Sequence, residues 1–268
     1  MTNRISRKAF LRKSAGSLSF VAAGFAASQL PAGGMPSPKP ADQPWPWPYK
    51  PLDPEIVRKA AHDGYYEQGC GYAVFAGIIL ELRARVGRPF TLMPLEMMSY
   101  AGGGIKGWGT ICGAVNGAGA VISLVCDGKT SGKIIDELIL WYTESPLPSE
   151  TSNGCAARHE FRADKNIAPL PQSISGSPLC HVSATKWCKK AGSAIDSPQR
   201  HERCARLSGD VAAFAVKALN YNLAGRMQFT RALPEKTSGC LSCHGQTGEV
   251  RDVAARFDCV QCHTPHDP

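Results

Sequence analysis

Two hundred and sixty-eight residues make one large domain or two small ones, enough chain to bury a core, so small size is no reason for the eleven cysteines. A charged fraction of 19% is below the roughly 25% of an average soluble domain, and no apolar run reaches the ~18 residues of a membrane span. Composition thus excludes a disordered chain and an integral membrane protein. The net charge of +8 suggests nucleic acid until it is located: Arg4, Arg7, Lys8, Arg12 and Lys13 lie in the first 32 residues, which hold no acid, so +3 remains for the rest and no basic footprint.

Those five basic residues precede a small and apolar stretch, Ala15 to Ala27, the pattern of a signal peptide for export over residues 1–32. Ser6-Arg7-Lys8-Ala9-Phe10-Leu11-Arg12 is similar to a twin-arginine signal, with Lys8 in place of the second arginine. The expected location is the periplasm, with no membrane span in the mature form. Residues 33–54 read as a proline-rich strap, since Pro31 to Pro54 holds nine prolines and the alternation Pro44-Trp45-Pro46-Trp47-Pro48 admits only extended chain. Its tryptophans predict that it lies along a folded surface.

The body, residues 55–233, has helical periodicity at about 55–86, at about 92–101 with Pro94 in its first turn, at about 111–126, and at about 132–143 after Ser131 as N-cap. Residues 146–203 carry six prolines without sustained period, and a stretch of that length needs something to pin it, for which a metal or disulfides at Cys155, Cys180, Cys188 and Cys204 would serve. A helix is expected at about 202–223. The fold class is therefore mainly α, a helical body with long irregular loops and an extended C-terminal tail over 234–268.

The tail carries Cys240-Leu241-Ser242-Cys243-His244 and Cys259-Val260-Gln261-Cys262-His263, two copies of CxxCH. Two thiols so spaced add to the two vinyl groups of one porphyrin edge, and the following histidine reaches the iron. Two covalent c-type haems are expected, with His244 and His263 as proximal ligands. The C-x2-C-x15-C-x2-C spacing also suits a zinc ribbon, but a histidine after each pair on an exported chain favours haem. From Pro234 onward the sizeable apolar side chains are only Leu241, Val250, Val253, Phe257 and Val260, too few to wrap two porphyrins. The haems must rest on the body, on each other or on a second copy.

Seven cysteines remain: Cys70, Cys112, Cys126, Cys155, Cys180, Cys188 and Cys204. Cys112 follows a glycine-rich loop, 102–109, and Thr110 as expected N-cap, so its sulfur falls in a first helical turn where backbone N–H groups favour thiolate. Cys126 reads as a small core residue.

Gly69-Cys70-Gly71-Tyr72-Ala73, GGGIKGWGTICGAVNGA at 102–118, SPLCHVSATKWC at 177–188 and ERCARLSGDVAAFAVKALN at 202–220 resemble the redox-active proteins named for a C, GCAxxG, C, C pattern. With the paired CxxCH motifs, the chain is similar to the split-Soret cytochromes c within that family. The resemblance implies a helical homodimer with two covalent haems per chain close to the dimer contact, two histidine ligands on each iron, and an additional iron–sulfur type centre. Distal candidates are His181, preferred because it adjoins Cys180, with a hydrogen-bonded loop role as its alternative; His62, His159 and His201, which also suit solvated or structural roles; and His266, too close to His263 to reach the same haem's other face and so suited only to the other haem or another chain. Preferred cluster ligands are Cys70, Cys180, Cys188 and Cys204, with Cys112 behind them because Cys112-Gly113 reverses the family's Gly-Cys order. A disulfide framework is the alternative for these thiols.

The expected function is electron transfer, as a carrier rather than an enzyme, with a redox partner protein that the sequence does not identify and no role for nucleic acid. Rival readings are a small-molecule reductase with an open haem or cluster site, and a zinc- or disulfide-stapled interaction protein.

Overall fold

The structure is a computed structural model in which residues 44–265 are described; the signal segment 1–32, the first part of the strap and His266 lie outside them. Those residues are mainly helical, and the only β pairing among them is two isolated bridges. Helix α1 (Pro54–Val86) starts where Asp53 accepts from the backbone N–H groups of Glu55 and Ile56, with Pro54 at the first helical position. Its apolar period predicts one continuous helix, yet the helix breaks at Gln68 and Gly69. Gly69 has φ +82, a conformation open to glycine and costly for other residues. The two arms then meet face to face: a Cβ on Gly77 would stand 3.0 Å from the Ala61 nitrogen, and one on Gly64 3.2 Å from the Ala73 Cα. The break places Cys70 at the start of the second arm.

The helix expected at 92–101 is instead two short 3-10 turns, Phe90–Leu92 and Leu95–Met98, joined by extended Met93 and Pro94. Pro94 has no N–H to give and forces Met93 out of the helical region. Helix α2 (Gly113–Val125) follows, and α3 (Gly128–Glu144) begins one turn earlier than Ser131 suggested, because Asp127 caps it through Lys129 and Thr130. Helices α4 (Glu150–Ala157) and α5 (Cys180–Ala191) occupy the stretch expected to be irregular, and α6 (Pro198–Leu223) starts within it. Ser149 and Ser197 cap α4 and α6, while Gly192 ends α5 in the left-handed conformation.

The core lies where α1, α2, α3 and α6 pack, with Phe75, Ile78, Ile122, Leu138, Leu207 and Val211 almost fully buried. Each such side chain contributes about 1.5–3 kcal/mol by leaving water. Strap residues 44–54 lie along this body. Trp45 donates to the Ser123 carbonyl at 2.8 Å, the Trp47 ring stacks edge-on against Phe90, and Asn220 bridges Tyr49 to the backbone of Leu52.

Among the described residues, side chains of the helices bond the loop between α4 and α5. Arg206, fully buried on α6, donates to the carbonyls of Asn166 and Ala168, and Trp187 donates to that of Pro171 at 2.6 Å. Arg206 is neutralised by Glu202 at 2.7 Å, which also holds His62 at 3.1 Å. His62 is sealed under Phe161, its other ring nitrogen 3.3 Å from Asp63. Burial alone would lower the His62 pKa, but Asp63 and Glu202 outweigh it and the net shift is upward. This ionic contribution to stability is fully present below the ordinary histidine value near ~6.5 and is lost as pH rises through the raised folded value. Unfolding free energies of wild type and His62→Gln should therefore converge as pH rises from the ordinary histidine range through the raised folded value; parallel profiles would show that His62 carries no charge in the fold.

Candidate metal centres

Four thiols are delivered to one region by four elements. Cys70 opens the second arm of α1, Cys112 is the residue before α2, Cys180 opens α5, and Cys204 lies in the second turn of α6. Three of the four sit at helix N-termini, where unpaired N–H groups favour negative charge. Cys112 takes the capping position expected of Thr110, whose hydroxyl oxygen instead accepts from Ile105 within the glycine loop. The Ile111–Leu179 bridge aligns the second and third thiols: Cys112 N–H donates to the Pro178 carbonyl at 2.8 Å and Cys180 N–H to that of Thr110 at 2.7 Å.

Gly113 explains the reversed Cys-Gly order. A Cβ there would overlap the Ala101 carbonyl oxygen and lie 2.6 Å from the Cys70 sulfur. Glycine after Cys112 is what lets the first thiol approach the second. The Cys70 thiol donates to the Ala101 carbonyl at 3.5 Å, and its interaction with Cys112, with help from Tyr142, the Ala114 N–H and Arg203, outweighs burial and draws the Cys112 pKa down to about 6. Cys70, which keeps the proton, is raised well above the usual thiol value. Cys180 is pushed up to about 12 by burial and by the charges of Cys112 and Cys204.

The thiols so gathered are Cys70, Cys112, Cys180 and Cys204. Cys188 lies eight residues along α5 from Cys180, about 12 Å by helical rise, and its sulfur faces the Ala194 carbonyl at 3.9 Å. Its charge still couples to Cys204, but it is the fifth and outermost thiol. Cys126 is buried at the end of α2, and Cys155 packs with Ala156 and Phe161. None of the eleven cysteines forms a disulfide.

Sequence reasoning missed the charged lining of this region. Arg203 is 2% exposed, with Nη1 3.8 Å from the Cys204 sulfur and Nη2 2.8 Å from Ser183 Oγ. The buried Tyr142 hydroxyl is shared between Ser183 Oγ, at 2.9 Å, and Cys112. An arginine beside a cysteine, four residues before buried Leu207, was the available signal. The four-thiol set, helix N-termini and buried cation suit an iron–thiolate group by donor chemistry. Among the described residues, no three His, Cys, Asp or Glu side chains already stand at metal-binding separation, so the fit lies in donor identity and location.

In the tail, helix α7 (Glu235–His244) carries the first motif, so Cys240, Cys243 and His244 share one helical face at i, i+3 and i+4. That arrangement suits two thioethers and an axial imidazole on one porphyrin. His244 Nδ1 lies 2.9 Å from Asp252, the carboxylate support that iron-ligating histidines commonly have. The second motif begins in a 3-10 turn, Cys259–Gln261, with Cys262 and His263 exposed. The Cys259 thiol donates to the Phe257 carbonyl at 3.6 Å and interacts with Cys240, so the two attachment sites adjoin. Gln261 donates to the Gly176 carbonyl at 2.6 Å and Arg256 pairs with Asp136 at 2.6 Å, setting the tail against α3 and the loop before α5.

Of the distal candidates, His181 is exposed at the start of α5, its N–H bonded to the Gly109 carbonyl beneath a loop that leaves Trp108 84% exposed. His62 has both ring nitrogens engaged by carboxylates in the core. His159 pairs with Asp164 at 2.6 Å, and His201 Nδ1 is hydrogen-bonded with the Tyr65 hydroxyl at 3.1 Å. His181 adjoins Cys180 with its side chain exposed, while His201, also exposed and one turn before Cys204, is engaged with Tyr65.

A family model described as "Putative redox-active protein (C_GCAxxG_C_C)" matches residues 70–218, beginning at the first gathered thiol. The split-Soret cytochrome c of Desulfovibrio desulfuricans (strain ATCC 27774) is 35% identical over 223 residues, 81% of this chain and 77% of that protein. A solved structure, described as "A novel iron centre in the split-Soret cytochrome c from Desulfovibrio desulfuricans ATCC 27774", has a TM-score of 0.72 at 31% identity, covering 82% of this chain and 91% of that one.

Proposed function

The chain belongs to the C_GCAxxG_C_C family of redox-active proteins, and we propose that it is an exported dihaem c-type cytochrome that passes single electrons between its haems and a non-haem iron–thiolate centre. The observation that carries this reading is the convergence of Cys70, Cys112, Cys180 and Cys204 around a buried arginine, in a chain that also bears two CxxCH motifs. Haem and iron–sulfur groups, when bound, supply one-electron chemistry. The chain's own residues divide the work. Cys240 with Cys243, and Cys259 with Cys262, fix two porphyrins; His244 and His263 ligate their irons; the four body thiols hold the further iron.

His181 is proposed as a distal ligand. An iron with histidine on both faces binds no substrate without losing one, which favours a carrier over an enzyme. The haems are proposed to lie against a second copy, because Val250, Phe257 and Ile174 are exposed around the docked tail and the tail offers no other cover. Periplasmic export rests on residues 1–32, and among the described residues no helix is long and apolar enough to cross a membrane.

The body centre is tested by substitution. Cys112→Ser and Cys204→Ser should each lose most non-haem iron while keeping both haems, and Cys188→Ser should keep most of both. Selective loss at Cys188 with retention at Cys112 would overturn the ligand set.

A further inference from the structure

We propose that Arg203 is the buried countercharge of the iron–thiolate centre, its Nε–H reserved for a sulfur of that centre and its charge raising the centre's reduction potential. This rests on the body centre proposed above and adds a positioning residue to it.

The argument starts from how each buried arginine uses its donors. Arg58 pairs with Asp210 and Glu55, and Arg206 spends Nε on Glu202 and its terminal nitrogens on Asn153, Asn166 and Ala168. Arg200 also reaches Cys204, but its side chain donates to the Ile195 carbonyl and the Tyr65 hydroxyl. Arg203 is different. One terminal nitrogen bonds Ser183, the other approaches Cys204, and Nε is buried without a partner. Among the described residues Arg203 makes no ion pair with a carboxylate, and its close partners are Ser183 and the Cys204 sulfur.

A buried, charged donor without a partner is costly, and a helix retains one where a ligand completes it. The surroundings are four thiol sulfurs, so the completing acceptor is a soft anionic one. Ser183 holds the guanidinium from one side and connects it through Tyr142 to Cys112, while Nη1 faces the Cys204 sulfur at 3.8 Å. Adding an electron makes the centre more negative, so a fixed cation and a hydrogen bond to sulfur both stabilise the reduced form.

The test uses the full, haem-loaded protein, with the oxidised-to-reduced ratio of non-haem iron read by Mössbauer spectroscopy at one applied potential. Arg203→Gln should raise that ratio about tenfold or more, equivalent to about 59 mV for one electron. Arg203→Lys, which keeps charge and loses the planar donors, should raise it less. Haem spectra should not change. A ratio within about twofold of wild type in an iron-replete Arg203→Gln protein overturns the proposal. If Arg203→Gln loses its iron, Arg203→Lys decides: a raised ratio supports the proposal and a wild-type ratio overturns it. Loss of iron from both variants at wild-type unfolding midpoints supports a requirement for the guanidinium, whereas loss at lowered midpoints makes Arg203 structural and overturns it. Wild-type protein without non-haem iron overturns the body centre itself, an outcome distinct from an unchanged variant.

Discussion

Replacing Cys243 and Cys262 together with alanine is expected to abolish the stable haem protein, and the intact mass of the wild type to exceed its mature polypeptide by two haems. The expectation follows from geometry as well as spacing. On α7 the second thiol of the first motif is one turn from Cys240 and adjacent to His244, so one helical face offers two sulfurs and an imidazole. Removing the second thiol leaves a porphyrin with one covalent anchor beside an exposed segment. The neighbouring site has the same dependence, since Cys259 begins a single 3-10 turn and Cys262 is exposed. The tail around both is poor in apolar cover, so non-covalent retention cannot make up the loss. A colourless protein at polypeptide mass, containing zinc, would contradict this.

The second large effect concerns the body without its cofactors. Arg206→Met should destabilise the fold by about 3–5 kcal/mol, the cost typical of breaking a buried ion pair. Arg206 is fully buried and makes four kinds of contact: to Glu202, to Asn153, and to the carbonyls of Asn166 and Ala168. Its removal strands the Glu202 carboxylate against His62 and Tyr66 and frees the loop between α4 and α5. Denaturant unfolding followed by far-ultraviolet circular dichroism measures the change. A loss below about 1 kcal/mol would mean that water or neighbouring donors replace the guanidinium.

The parts of this molecule that could be read from sequence are those written in consecutive residues. CxxCH needs five positions, and α2, α3 and α6 show their apolar period over three turns or more. The break in α1 was hidden because Gly69 sits inside an uninterrupted helical pattern, and only its φ of +82 reveals that the helix reverses. Residues 146–203 misled in the opposite sense. Their prolines mark real turns, but the short helices between them are secured by Trp187 and Arg206, partners remote in sequence. The same remoteness affected the thiols. Cys112 stood behind Cys188 because Cys112-Gly113 reverses the family's Gly-Cys order, whereas in the structure the Ile111–Leu179 bridge brings Cys112 beside Cys180 and α5 sets Cys188 eight residues further along. Nothing local to Cys112 announces that bridge, and the need for Gly113 appears only when the Cys70 sulfur is seen beside it.

The central claim, two covalent haems and a further iron held by body thiols, is tested most directly by total iron, acid-labile sulfide and covalent haem measured on one purified sample. The account predicts two haems per chain and iron in excess of haem, with the excess lost on replacement of Cys112 or Cys204. Iron equal to haem, with Cys70, Cys112, Cys180 and Cys204 recovered in disulfides, would contradict it.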